Sequence, residues 1–204
     1  MKFLASVLTI AASAALMPVG LAQMSNSSAK LALNSSAEAQ IGGHWNDGIA
    51  RRKRPMLSPS AKATVQLNGK QVTIDYNSPS MRGRKIFGGL VPYNSVWRTG
   101  ANSATTLKTE TDLKIGSATV PAGTYTLYTL PSKTTWKLII NKQTGQWGTQ
   151  YDKSQDLARI DMQKNTLPQP QEKMSISFEN THGNTAQLHV RWDTTDVWVP
   201  VVAQ

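Results

Sequence analysis

The sequence contains no cysteine. It therefore has no disulfide bond, no thiolate nucleophile and no cysteine-bound zinc, and no lipid can be attached to a cysteine after an export signal. The fold must be stabilised by its apolar core alone. Histidine is also rare, with 3 in 204 residues, so a metal site built from several histidines is not expected. We predict neither a metal nor a cofactor.

Long apolar runs are absent after the first 22 residues. Lys2 is followed by an uncharged, mostly apolar stretch at residues 3–20, and small residues precede Gln23. This pattern is typical of a cleaved signal peptide, and we predict cleavage after Ala22. A membrane anchor is the alternative, but the stretch is short for a span of ~20 residues and Pro18 interrupts it. We therefore expect an exported, soluble protein in the periplasm or outside the cell.

Residues 23–55 have few β-branched side chains, are rich in Ser, Asn, Ala and Gly, and include the basic run Arg51–Arg54. Such a composition is typical of a flexible leader. The basic run suits peripheral contact with an anionic membrane surface, whereas nucleic acid is not an expected partner of an exported protein. A solvated linker is the interpretation that we favour. The folded domain is then predicted to cover residues 56–204.

Strand patterns dominate from residue 62 onward. Asn68-Gly69 separates the apolar residues Val65 and Leu67 from the alternating run Val72–Tyr76. Because Asn and Gly tolerate the positive φ angles of a two-residue turn, this segment is predicted to form a β-hairpin. Similar patterns predict seven further strands, at residues 104–109, 112–115, 124–130, 136–141, 174–179, 187–192 and 197–201.

Nine short strands without long helical crossovers favour antiparallel pairing. We predict a single all-β domain, an antiparallel β-sandwich or a jelly-roll-like barrel. One helical turn is expected at residues 154–160. Pro200 cannot donate a backbone hydrogen bond, which suggests that the last strand lies at a sheet edge.

The most distinctive residues resemble a protein family. They form two long blocks and several short ones: residues 82–93, residues 96–102, residues 121–125, Trp136, Asn141 and residues 145–148. Together they resemble a family of exported bacterial proteins known as domain of unknown function 2911, over about residues 56–200. The resemblance implies a secreted all-β domain. It implies no activity, catalytic residue or ligand.

The stretch from Arg82 to Asn102 concentrates cations, glycines and aromatic rings. Glycine lets the backbone approach a ligand closely, arginine pairs with carboxylate or phosphate through a planar fork, and aromatic rings stack on flat groups. We predict a non-catalytic module that binds an anionic or glycan ligand, or an envelope partner. The predicted ligand-binding residues are Arg82, Arg84, Lys85, Trp97, Arg98 and Asn102.

A packed surface loop is the alternative interpretation of this block. Phe87 and Trp97 would then plug one end of the sandwich. The arginines would bond to backbone carbonyls and to Asp75 or Asp112. The loop would carry no ligand, and the protein could serve as a structural part of the cell envelope.

A second hypothesis is an envelope hydrolase that acts on a glycan or an ester. It depends on Asp152, Asp156, Asp161 and His189, because paired carboxylates can cleave glycosidic bonds and histidine can act as a general base. No Gly-x-Ser-x-Gly motif is present. The competing interpretation is structural: the carboxylates cap a short helix or pair with Arg159, and His189 is a solvated strand residue.

The tryptophans differ in their positions within the predicted strands and loops. Trp136 and Trp192 occupy alternating apolar positions and are predicted to pack in the core. Trp198 has the opposite parity to the valines around it, so we expect it to be exposed or at an interface. Trp97 and Trp147 lie in glycine-rich segments and are the candidates for a stacking surface.

Overall fold

The computed structural model describes residues 57–204. The predicted signal peptide (residues 1–22), the leader (residues 23–55, with Arg51–Arg54) and residue 56 lie outside the described residues. Nine strands and one 3₁₀ turn make up the described part. The strands are β1 (Ser60–Leu67), β2 (Lys70–Asn77), β3 (Thr105–Thr109), β4 (Leu113–Ile115), β5 (Ala118–Val120), β6 (Gly123–Pro131), β7 (Trp136–Asn141), β8 (Asp156–His182) and β9 (Thr185–Ala203). Among residues 57–204, no helix has the length and apolarity to cross a bilayer.

The strands pair in the order β1-β2-β3-β6-β7-β8-β9-β4-β5, and every pair is antiparallel. One apolar core takes side chains from both ends of this order, for example Val72 and Ile74 of β2 and Leu113 of β4. The two arms of the sheet therefore pack against each other across a common interior. This confirms the prediction of a single antiparallel all-β domain with about nine strands.

The first hairpin follows directly from its turn. Asn68 and Gly69 have φ angles of 50° and 73°, the positive values that a two-residue turn of this kind requires. Leu67 pairs with Lys70 across the turn. Val72 and Ile74 are fully buried on one face of β2, as the alternation predicts.

The long hairpin of β8 and β9 is irregular in its middle. Thr166 pairs with Thr195, and Gln171 pairs with Asp193. The segment between these two pairs is therefore longer on β8 than on β9. Pro168 lies in that extra segment, where its missing N–H breaks no ladder hydrogen bond. Asp193 has a φ of 54°, which bends β9 at the same level.

The bend in β9 brings together residues that are distant along the strand. His189 Nδ1 lies 2.8 Å from Asp196 Oδ1. In a straight strand, seven residues would separate the two Cα atoms by roughly 23 Å. The chain must therefore fold back around Asp193, and a polar cluster fills the concave side of the bend.

Two expectations about local structure are wrong. The helical turn expected at residues 154–160 is limited to a 3₁₀ turn at Lys153–Gln155, because Asp156 and Ile160 already pair with Asn141 and Leu138 of β7. β9 as a whole is not an edge strand, because it lies between β8 and β4 in the strand order. Pro200 itself has no partner in either register, since the pairing with β8 ends at Trp198 and the pairing with β4 begins at Val201.

Candidate functional site

The segment from Ser78 to Asn102 is an ordered loop held at both ends. At its start, Met81 N–H donates to Glu172 O at 2.8 Å. Near its end, Trp97 and Thr129 exchange two backbone hydrogen bonds of 2.8 Å each. The loop is thereby fixed against β8 on one side and β6 on the other, so its side chains occupy defined positions.

This loop forms most of an open cavity of about 400 Å³, which we call the arginine pocket. Five of the six predicted ligand-binding residues line it: Arg82, Arg84, Trp97, Arg98 and Asn102. Lys85, the sixth, is exposed and is not among the lining residues. Apolar walls come from Leu57, Pro79, Leu90, Val91 and Trp192, the last of which belongs to β9.

The aromatic residues of the pocket are continuous with the core. Trp97 stacks on Trp192 with ring centroids 5.8 Å apart and an angle of 19° between the planes. The ring of Phe87 meets Trp97, Trp192 and Trp136 edge to face. Phe87 belongs to the core and Trp97 packs against it, as the packed-loop interpretation expects, and Trp97 also lines the pocket.

Two of the pocket arginines are oriented by backbone carbonyls. Arg82 donates from Nη2 to Leu57 O at 2.6 Å, and Arg84 donates to Met81 O and Ser80 O at 2.9 and 2.7 Å. These bonds fix the guanidinium groups without neutralising them. The Glu172 carboxylate accepts from the backbone N–H of Arg82 at 3.0 Å, not from its side chain.

Arg98 is held differently. Its Nε is buried and has no hydrogen-bond partner in the described part of the chain. The side chain lies against the backbone of Gly148, where an added Cβ would be 2.1 Å from Arg98 Cδ. The absence of a side chain at Gly148 is therefore needed for Arg98 to reach its position in the pocket wall.

The expected pairing of these arginines with Asp75 or Asp112 is wrong. Asp75 lies 3.0 Å from Lys62 Nζ and 3.6 Å from Lys108 Nζ. Asp112 accepts a hydrogen bond from the backbone N–H of Ala122 at 2.8 Å. Within residues 57–204, none of the pocket arginines forms an ion pair with a carboxylate, and no Asp or Glu lines the pocket.

The backbone around the pocket is strained. Arg82, Thr99 and Asn102 have φ angles of 52°, 52° and 58°, and such values are unusual for a β-branched residue like threonine. Buried Thr99 is held in place by a 3.2 Å hydrogen bond to the Thr129 hydroxyl and by the Thr105 hydroxyl, which donates to its carbonyl at 2.9 Å. Strain of this kind concentrates at functional sites.

The carboxylates of the hydrolase hypothesis have structural partners. Asp152 caps the 3₁₀ turn by accepting from Ser154 N–H at 2.9 Å, and hydrogen bonds from Ser154 lower the pKa of this carboxyl group. Asp156 pairs with Arg159 at 2.8 Å. Asp161 pairs with Lys137 at the surface. This agrees with the structural interpretation of these residues.

His189 is not the solvated residue that we expected, because only 5% of it is exposed. Its Nδ1 faces Asp196, while its Nε2 faces Gln187 Oε1 at 3.4 Å and Glu179 Oε2 at 3.9 Å. No hydrogen bond or ion pair joins His189 to Asp152, Asp156 or Asp161 in the described chain. The pair with Asp196 resembles half of a catalytic triad, but no serine hydroxyl among residues 57–204 bonds to Nε2.

Arg191 completes this polar cluster, which sequence reasoning missed. It forms a two-pronged pair with Glu179, whose pKa is lowered chiefly by this bonding. Arg191 Nε also lies 3.2 Å from Asp196 Oδ2, an ion pair whose N–H direction does not meet hydrogen-bond geometry. The only available signal was that Glu179 of β8, and His189 and Arg191 of β9, each lie on the polar face of their strand.

Tyr151 gives a direct test of the geometry around Asp156. Its hydroxyl donates to Asp156 Oδ2 at 2.7 Å, and burial together with this bond raises its pKa to about 12. The phenol is therefore stabilised in its neutral form. This contribution to stability is complete below pH 10 and is lost as the pH rises through about 12.

Ultraviolet titration of wild type and Tyr151→Phe at 295 nm should show this phenol ionising near pH 12 in the folded protein. A difference curve with its midpoint at pH 10 would contradict the assigned hydrogen bond.

The remaining tryptophans differ in exposure. Trp147 is 52% exposed, in line with its being a candidate for stacking, but it does not line the arginine pocket. Trp198 is half-buried and stacks on His189 with centroids 5.9 Å apart. Among residues 57–204, no group of three or more His, Asp or Glu side chains is arranged to hold a metal ion.

The family model described as "Protein of unknown function (DUF2911)" matches residues 58–201. This range contains the whole loop, all but the first residue of the pocket lining and nearly all of the sheet. No curated protein and no solved structure matches the chain. The chain belongs to this family, the proteins of unknown function DUF2911.

Proposed function

We propose that this domain binds a small anionic ligand in the arginine pocket. The observation that carries the proposal is an imbalance of charge. Three guanidinium groups line one cavity, and among residues 57–204 no carboxylate lines it. Arg82 and Arg84 are exposed and Arg98 is half-buried, so a bound anion can reach them and would supply the counter-charge that the cavity lacks.

The position of Arg98 supports the same conclusion. The strained loop and the close approach of Gly148 hold its side chain in the pocket wall. A carboxylate or phosphate oxygen in the cavity would form charge-assisted hydrogen bonds with its guanidinium group.

The composition of the lining favours binding over turnover. Among the lining residues in the described chain there is no histidine, lysine or carboxylate to act as an acid or a base. Arg82 and Arg84 are already oriented by carbonyls, so little side-chain ordering remains to be done on binding. A volume of about 400 Å³ is at the small end of ligand pockets.

Calorimetric titration with inorganic phosphate tests this proposal. Arg98→Ala is expected to weaken phosphate binding about ten- to a hundredfold, because a hydrogen bond to a charged group contributes about 1.5–3 kcal/mol. Lys85→Ala is the matched control. It removes one positive charge from the same loop but lies outside the pocket lining, so it should change the affinity less than about twofold.

Two results would contradict the proposal. One is the absence of any binding heat with the folded wild-type protein at millimolar phosphate. The other is an equal loss of affinity in Arg98→Ala and Lys85→Ala, which would indicate that phosphate responds only to the net charge of the loop.

A further inference from the structure

Apolar side chains are exposed beside the guanidinium groups of the arginine pocket. Four large apolar residues are noticeably exposed in the described chain, and two of them line this one cavity. They are Leu57, which is 69% exposed, and Leu90, which is 47% exposed. Exposed apolar side chains gathered at a concave site mark a binding surface.

These leucines continue an apolar wall. Val91 and Trp192 are buried in the core and still contribute to the lining, and half-buried Trp97 lines the cavity as well. The cations are Arg82, Arg84 and Arg98. The pocket therefore offers two chemistries in one cavity, charge-assisted donors and aliphatic or aromatic surface.

We infer that the ligand is a small amphipathic anion, a carboxylate or phosphate head that carries an aliphatic chain. This inference rests on the proposed function, because it assigns the head to the arginines. The chain lies along Leu90 and Leu57. A purely polar anion such as free phosphate would leave both leucines in water. A large apolar ligand without charge would leave the three guanidinium groups of the cavity without a counter-charge.

The test is a titration with a series of straight-chain carboxylates, acetate, butanoate, hexanoate and octanoate, below the concentrations at which they aggregate. Each methylene that leaves water contributes about 0.8 kcal/mol when fully buried, so affinity should rise about two- to fourfold per added methylene at this partly open wall. Hexyl phosphate against inorganic phosphate gives the same comparison for the second kind of head.

The variant Leu90→Ser tests whether the aliphatic chain of the ligand lies against Leu90. It should flatten the increase of affinity with chain length, so that octanoate loses far more affinity than acetate does. Leu157→Ser is the matched control, because Leu157 is also exposed but belongs to β8 and does not line the cavity. It should retain the wild-type increase of affinity with carboxylate length. An unchanged unfolding midpoint for both variants shows that the fold is intact.

The outcomes separate the two proposals. If acetate and octanoate bind wild type equally, the site binds anions but the amphipathic ligand is wrong. If affinity rises with carboxylate length in wild type and rises equally in Leu90→Ser, the aliphatic chain of the ligand lies elsewhere and the inference is overturned. If no carboxylate or phosphate binds, both this inference and the proposed function fail.

Discussion

Replacing Trp192 with alanine is expected to lower the free energy of unfolding by about 3–5 kcal/mol, the usual cost of removing a large aromatic side chain from a core. Trp192 is only 1% exposed. It stacks on Trp97, meets Phe87 edge to face at 6.2 Å, and donates from Nε1 to Glu172 O at 3.2 Å. The substitution thus removes packing, a hydrogen bond and part of the pocket wall together.

The measurement is urea unfolding followed by far-ultraviolet circular dichroism. If the dependence of the unfolding free energy on urea concentration is the same in both proteins, a shift of the midpoint reports a change in stability. Trp147→Ala is the matched control, because Trp147 is 52% exposed and its removal should change stability by less than about 0.5 kcal/mol. Similar midpoints for Trp192→Ala and wild type would contradict the described packing of the core.

Trp192 also shows what sequence patterns can reveal. Its alternation with polar neighbours correctly predicted burial, as it did for Trp136. The same local rule predicted the hairpin at Asn68 and Gly69, because the turn and its flanking residues are adjacent in the chain. Alternation has no information about which strand lies opposite, so it could not place Trp192 behind Trp97 or in the wall of a pocket.

The candidate site likewise combines features that the sequence reveals with features that it does not. The density of cations in one loop was visible in the sequence, and the structure places five of the six predicted residues around one cavity. Lys85 lies outside it although it is adjacent to Arg84. That difference depends on the path of the loop, including the positive φ of Arg82. The sequence also gives no sign that Leu57 lines the cavity or that Gly148 lies against Arg98, because both come from outside the loop.

The bend in β9 accounts for the clearest failure of sequence reasoning. On a straight strand His189 would face solvent, as we expected. Because Asp193 adopts a positive φ, the chain folds back and Asp196 covers His189 and Arg191. No pattern of alternation predicts a contact between two residues on opposite sides of a bend, since alternation assumes a regular strand.

Removing the carboxylate of Asp196 is the second change for which we expect a large effect. Asp196 is buried and bonds to His189 Nδ1 at 2.8 Å, with Arg191 Nε at 3.2 Å. The substitution leaves His189 Nδ1 and Arg191 Nε without their partner, and a buried polar group that loses its partner costs about 1–3 kcal/mol. Asp196→Ala should therefore destabilise the domain by about 2–4 kcal/mol, although Arg191 keeps its pairing with Glu179.

Asp161→Ala is the control for this experiment, because Asp161 also pairs with a cation but its side chain is 77% exposed. An exposed pair contributes at most about 1 kcal/mol, so urea unfolding at neutral pH should separate the two variants clearly. Equal losses in Asp196→Ala and Asp161→Ala would mean that water reaches the cluster and that the fold of β9 around Asp193 is more open than described.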